Sequence, residues 1–166
     1  MRAGVALGSN LGDRSANLRN ARQKIEALAG VHSLILASDI YETEPVACES
    51  GAPKFLNAVV EFEYAGQPQE LLSELAVIEN SLGRPADHEK NTSRPIDLDL
   101  LYFGTMEMVT RDLHLPHPRL IERRFVLAPL AEIQPNLLLP KQTEPIRALL
   151  ARMPDGPAVV RLELKW

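Results

Sequence analysis

Residues 96–100 read Ile-Asp-Leu-Asp-Leu, and two carboxylates spaced by one apolar residue can do chemistry. In a strand, Asp97 and Asp99 would point to one face with Cα atoms roughly 6.5 to 7 Å apart, while Ile96, Leu98 and Leu100 turn to the other. Strands disfavour aspartate, and two on one face repel unless a cation lies between them. Hard oxygen donors at this spacing suit Mg²⁺, with substrate phosphates completing the shell. The plainer alternative is a solvated face with two wet carboxylates. Arg94 stands three residues before Asp97, and Arg84 opens the same polar stretch. A guanidinium keeps its charge and donates in a planar fork, which suits a polyphosphate. Arg84, Arg94, Asp97 and Asp99 are therefore the candidate catalytic group.

Three further features could serve a ligand. His117 lies between Pro116 and Pro118, which restrict the backbone and hold the imidazole in place for a phosphate oxygen, unless it is simply a turn histidine. Asn57 is a polar residue in an otherwise apolar strand, and its amide could read the edge of a heterocycle. Phe55 and Phe125 stand next to loops, where they are either core residues or the two faces of a slot for a planar ring. The stretch GSNLGD lacks the glycine-lysine pattern of a P-loop, and no G-x-G-x-x-G occurs. Phosphates bound here must be held by side chains and metal.

The elements that carry these residues follow from periodicity. Residues 2–7 read as a buried strand bounded by the glycine-rich 8–13. Asp13 can cap a helix whose apolar positions are Leu18, Ala21, Ile25 and Leu28, with Gly30 as its terminating glycine. Residues 31–41 read as a strand, with Leu34, Leu36 and Ile40 apolar, and 45–54 as a long loop. Residues 56–64 alternate, with Leu56, Ala58, Val60, Phe62 and Tyr64 on the core face and Asn57, Glu61 and Glu63 opposite. Pro68 starts a second helix with Leu71, Leu75, Ile78 and Leu82 inward and Gly83 at its end. A second polar loop, 84–95, leads into a strand over 96–103. The order is β-α-β-β-α-β, an α+β fold of the ferredoxin-like kind, with an antiparallel sheet and both helices on one face. Helices over 125–133 and 144–153 and a strand over 158–164 are additions. The two long loops are expected to be mobile and to close over nucleotide.

Composition narrows the class. With 166 residues, 45% hydrophobic and 24% charged, the chain has enough apolar material for one domain's core. A net charge of −4 with no basic cluster argues against nucleic acid as a partner. The single cysteine, Cys48, forms no intrachain disulfide and fits a reducing compartment. No apolar run approaches a membrane span and no secretory leader is evident, so a cytoplasmic monomer acting on small molecules is expected.

The motifs ALGSNLGD, YETEP, FLNAVV, LGR, SRPIDLDLLYFG, LPHPRL and RFVLAPLAEI fall in an order that resembles the 6-hydroxymethyl-7,8-dihydropterin pyrophosphokinases of folate biosynthesis. The resemblance spans residues 5 to about 140. It implies one pyrophosphokinase domain over 1–166, and transfer of pyrophosphate from ATP to the pterin hydroxymethyl group with release of AMP. It further implies that Asp97 and Asp99 hold two Mg²⁺ ions. Arg84, Arg94, His117, Arg123 and Glu79 would bind ATP. Thr43, Val46 and Asn57 would contact the pterin, with Phe55 and Phe125 stacking on it. Asn91, Ala86 and Asp112 depart from the family's usual Trp, basic residue and Arg. Two other classes share single features. D-x-D also occurs in nucleotide-sugar glycosyltransferases, which are larger folds, and a ferredoxin-like binding module would need no paired carboxylates beside arginines.

Overall fold

The computed structural model describes residues 1–33, 35–45, 51–84, 93–164 and 166. Strand β1 (Arg2–Ser9) leads to helix α1 (Arg14–Glu26), whose first turn is capped by Asp13 accepting from the Ala16 N–H at 2.9 Å. Strands β2 (Leu36–Ala37), β3 (Ile40–Thr43) and β4 (Phe55–Glu63) precede helix α2 (Pro68–Ser81). Strand β5 (Asp97–Phe103) and the short hairpin β6 (Met108–Val109) with β7 (His114–Leu115) follow. Helices α3 (Arg124–Ile133) and α4 (Ile146–Arg152) and strand β8 (Val159–Leu162) complete the order.

The main sheet runs β5-β1-β4-β3-β8, with β2 also pairing β4, and its pairs are antiparallel. One face carries Ala3, Val5 and Leu7 of β1 and Leu98, Leu100 and Phe103 of β5. It packs on Leu18, Ala21 and Ile25 of α1 and Leu71, Leu75 and Ile78 of α2. The first two helices therefore share a face, as the pattern predicts.

The opposite face is not solvent. Val59, Leu101 and Tyr102 pack there on Val126, Leu127 and Leu130 of α3 and on Ile146, making a second core. Alternation in β4 marks two faces, but it cannot show that the polar-looking one carries a helix layer supplied 60 residues later. A bulge in β5 adjusts the register: Val5 faces Leu100 and Gly4 faces Tyr102, leaving Leu101 over. The extra residue puts both Leu101 and Tyr102 against α3.

Three other expectations are corrected. Residues 31–41 form no single strand, only an isolated bridge at Val31 and then β2, with β3 beginning at Ile40; Leu34 lies outside the described residues. Gly30 is not a left-handed cap. Its missing side chain matters because a Cβ there would come within 2.3 Å of the Tyr64 ring. Gly8 belongs to β1 rather than to the glycine-rich segment expected to bound it, since it pairs with both Asn57 and Asp97. Gly83 does end α2 as expected, at φ +92°.

Candidate functional site

The end of the sheet beneath the first turn of α3 builds the site row by row. Gly8 lies between Asp97 on one side and Asn57 on the other, and the next row inward is Asp99, Ala6 and Val59. Phe125 and Val126 at the start of α3 cover these rows, closing a cavity of about 30 Å³ lined also by Asp97, Asp99, Gly8 and Asn57. Phe125 also borders a larger cleft of about 360 Å³ with Thr43, Arg123, Arg124 and the chain from Met153 to Val159. Asp97 and Asp99 share a face, as their spacing predicts, and both are part-exposed.

Arginines hold the carboxylates. Asp97 Oδ1 accepts from Arg84 Nη1 at 2.5 Å and Arg94 Nη1 at 3.1 Å, and Asp99 Oδ2 accepts from Arg123 Nη1 at 3.0 Å. Arg123 also lies over the Phe125 ring, 5.6 Å from its centroid. Glu79, on the last turn of α2, accepts the Leu98 N–H at 2.6 Å and pairs with Arg84. Burial pushes the Glu79 carboxyl up to about 7, against the opposing pull of the Leu98 N–H and Arg84. It therefore touches the backbone between the two aspartates.

On the other flank, Asn57 is buried and donates from Nδ2 to Thr43 Oγ1 at 2.8 Å, which turns its Oδ1 toward Gly8. Phe55 Cδ1 would sit 3.8 Å from a Cβ built on Gly8, so Phe55 and Phe125 both border this floor. Val46 lies outside the described residues, as do residues 85–92 with Ala86 and Asn91, and most of the span expected to form mobile loops. His117 borders a separate groove with Leu115, Leu139 and Lys141. Its Nδ1 accepts the Arg119 N–H at 3.2 Å, so the neutral ring carries its proton on Nε2. Burial lowers its pKa from the ordinary value, and nearby Asp99 opposes that.

The donor set fits Mg²⁺ in one form. Among the described residues no three Asp, Glu, His or Cys side chains converge, so there is no protein cage for a metal. Two carboxylates offering hard oxygens beside three guanidiniums fit an ion that arrives with phosphates to finish its shell.

Sequence reasoning missed two residues here. Gly8 was legible as a glycine inside an apolar run, a position that marks close approach of another group. Asn10 has side-chain partners more than forty residues away, and nothing local signals that.

The model of the family described as 7,8-dihydro-6-hydroxymethylpterin-pyrophosphokinase (HPPK) matches residues 4–135. A Bacillus subtilis protein named 2-amino-4-hydroxy-6-hydroxymethyldihydropteridine pyrophosphokinase is 47% identical over 129 residues, covering 78% of this chain and 75% of that protein. A folate synthesis bifunctional protein of Arabidopsis thaliana is 40% identical over 78% of this chain, which spans only 26% of it. The crystal structure of Plasmodium falciparum HPPK-DHPS with pterin and p-hydroxybenzoate superposes with a TM-score of 0.70 at 15% identity. That match covers 91% of this chain and 42% of the other, and it speaks to the fold.

Proposed function

The chain belongs to the 7,8-dihydro-6-hydroxymethylpterin-pyrophosphokinase family, and from that premise we propose that it transfers the terminal diphosphate of ATP to 6-hydroxymethyl-7,8-dihydropterin. The pterin hydroxymethyl oxygen attacks the β-phosphorus and gives up its proton to solvent, the bond from β-phosphorus to the α,β-bridging oxygen breaks, and AMP leaves carrying that oxygen. This is the diphosphokinase step of folate synthesis. The observation that carries it is the pair Asp97 and Asp99, held by Arg84, Arg94 and Arg123 beside a floor bordered by Asn57 and Phe125.

The roles follow from the chemistry of each group. Asp97 and Asp99 would hold Mg²⁺, as two ions, whose charge neutralises the triphosphate and favours the developing charge of the transition state. Arg84 and Arg94 bind phosphate oxygens, leaving their carboxylate partner when the nucleotide arrives. Arg123 does the same beside Asp99. The His117 Nε2–H donates to a phosphate oxygen, and low basicity keeps that ring neutral. Glu79 acts on nucleotide through Arg84 and the Leu98 backbone. Phe55 and Phe125 stack on the pterin, while Asn57, Thr43 and Val46 read its edge. Catalysis of this kind is alignment and charge neutralisation.

The strand order β5-β1-β4-β3 with α1 and α2 on one face supports assigning the core to the ferredoxin-like arrangement. We read residues 1–166 as one pyrophosphokinase unit, a monomer working in the cytoplasm on small molecules without nucleic acid. Among the described residues no helix is long and apolar enough to cross a membrane.

The test is Mg²⁺-dependent formation of AMP from ATP, with and without the pterin. AMP formation that requires both is expected. ADP, or no pterin-dependent product, would overturn the assignment.

A further inference from the structure

Asn10 has no part in the chemistry above, yet it is only 1% exposed. Its backbone N–H donates to Arg94 O at 3.2 Å, and its Oδ1 accepts the Arg94 N–H at 2.7 Å. Arg94 is thus gripped at both its N–H and its C=O, and its side chain leaves that grip to reach Asp97. The other half of the same amide donates from Nδ2 to Ser93 Oγ at 3.0 Å and, in a longer contact, to Pro53 O at 3.4 Å. Pro53 stands two residues before Phe55. One buried amide therefore joins the end of β1 to the chain entering β5 and to the chain entering β4.

A turn-forming asparagine bonds its own neighbours within a few residues. Each side-chain partner of Asn10 is 43 or more residues away, so turn chemistry does not account for it. Nor does simple core filling, for which an apolar residue would serve without burying an amide. The position needs an acceptor and a donor on one short side chain. Aspartate accepts but cannot donate, and alanine does neither.

We propose that Asn10 is a positioning residue that sets Arg94 on the phosphate side and Phe55 on the ring side from a single point, without touching substrate. It deepens the pyrophosphokinase reading and rests on it. Through the backbone, Asn10 fixes where the Arg94 guanidinium starts, and small displacements of a positioning group are costly to phosphoryl-type transfer.

The test uses the whole chain with Asn10→Ala, Asn10→Asp, Arg94→Ala and the double variant Asn10→Ala/Arg94→Ala. Dissociation constants are measured for a nonhydrolysable ATP analogue with Mg²⁺ and, separately, for the pterin, alongside amide exchange at Arg94. In folded Asn10→Ala the Arg94 amide should exchange faster, the nucleotide constant should rise about tenfold, and the pterin constant by a smaller factor. Asn10→Asp keeps the acceptor and should protect the Arg94 amide better than Asn10→Ala does. In the Arg94→Ala background, Asn10→Ala should add less than about twofold to the nucleotide constant, because the side chain it aims is gone. A structural residue alone would lower the melting temperature and leave ligand affinity of the folded fraction unchanged. That result, or fully additive effects, would overturn the proposal. If Asn10→Ala does not fold, Asn10→Ser takes its place, since its shorter side chain loses the bond to the Arg94 N–H, and unchanged Arg94 exchange together with unchanged nucleotide affinity would overturn the proposal. A parent protein that forms no AMP defeats the reaction assignment instead, and the exchange measurement then decides the clamp by itself.

Discussion

Gly4 and Gly8 stand on the same strand and on the same face, yet they are glycine for opposite reasons. A Cβ on Gly4 would come within 2.2 Å of the Tyr102 ring, so protein already fills that space. A Cβ on Gly8 would meet Asn57 Oδ1 at 3.4 Å and Asp97 and Phe55 at 3.8 Å, ordinary van der Waals contacts that would accommodate a methyl. The carboxylates at the two ends differ in the same way. Glu61, beside Gly4, is 3% exposed and accepts from Tyr102 Oη at 2.5 Å and Gln134 Nε2 at 2.6 Å. Asp97 and Asp99 remain part-exposed, and among the described residues arginines pair with both. One end of the sheet buries its carboxylate among uncharged hydroxyl and amide donors, and the other pairs part-exposed carboxylates with guanidiniums. A strand glycine costs about 0.5 to 1 kcal/mol relative to alanine, and at Gly8 neither packing nor backbone conformation demands it.

The largest effect should come from the site-end carboxylates. Asp97→Asn and Asp99→Asn should each lower AMP formation by about 10²- to 10³-fold, the usual cost of losing one such electrostatic contact. The melting temperature without metal should fall modestly, because each substitution leaves part-buried guanidiniums of Arg84 and Arg94, or of Arg123, without their carboxylate. Near-parental turnover at ordinary Mg²⁺ in both variants would erase the contrast with Glu61.

The two glycines test the comparison directly. Gly8→Ala should raise the pterin dissociation constant about tenfold or more through the intruding methyl, with the melting temperature held. Gly4→Ala should do the reverse, destabilising by roughly 1 to 3 kcal/mol with pterin affinity intact in the folded fraction. Isothermal titration and thermal melts on the pair decide it, and equal loss of stability in both would collapse the distinction.

Phe125→Ala should follow with a roughly threefold to tenfold weaker pterin affinity and little change in ATP affinity. A melting-temperature drop with unchanged pterin binding would assign Phe125 to the second core.

The smallest effect is a pH slope. Glu79 rises from an ordinary 4.5 to about 7 on folding because burial disfavours its charge. The folded state then holds a proton that the unfolded state has lost, so stability of the metal-free protein should fall as pH rises from 4.5 to about 7 and flatten above. Denaturant melts across that window should show the slope in the parent and a shallower one in Glu79→Gln. Equal slopes would place the titration elsewhere.

Much of the molecule was legible in the residues themselves. Alternation assigned the strand carrying Asn57, the 3-4 spacing assigned α1 and α2, and Asp13 and Gly83 marked a helix start and a helix end. The shared face of Asp97 and Asp99 followed from a strand's two-residue period. These are local properties, since spacing along a chain reports which side chains share a face. What lies against a face is a different question. The cover of α3 over the polar row, the bulge that turns Leu101 and Tyr102 to one side, and the three-way junction at Asn10 depend on segments far apart in the chain. The tight approach of Tyr64 to Gly30 spans about thirty. Only the tertiary structure could decide them, because the energy of a buried contact depends on the partner that arrives, and no local period encodes that partner.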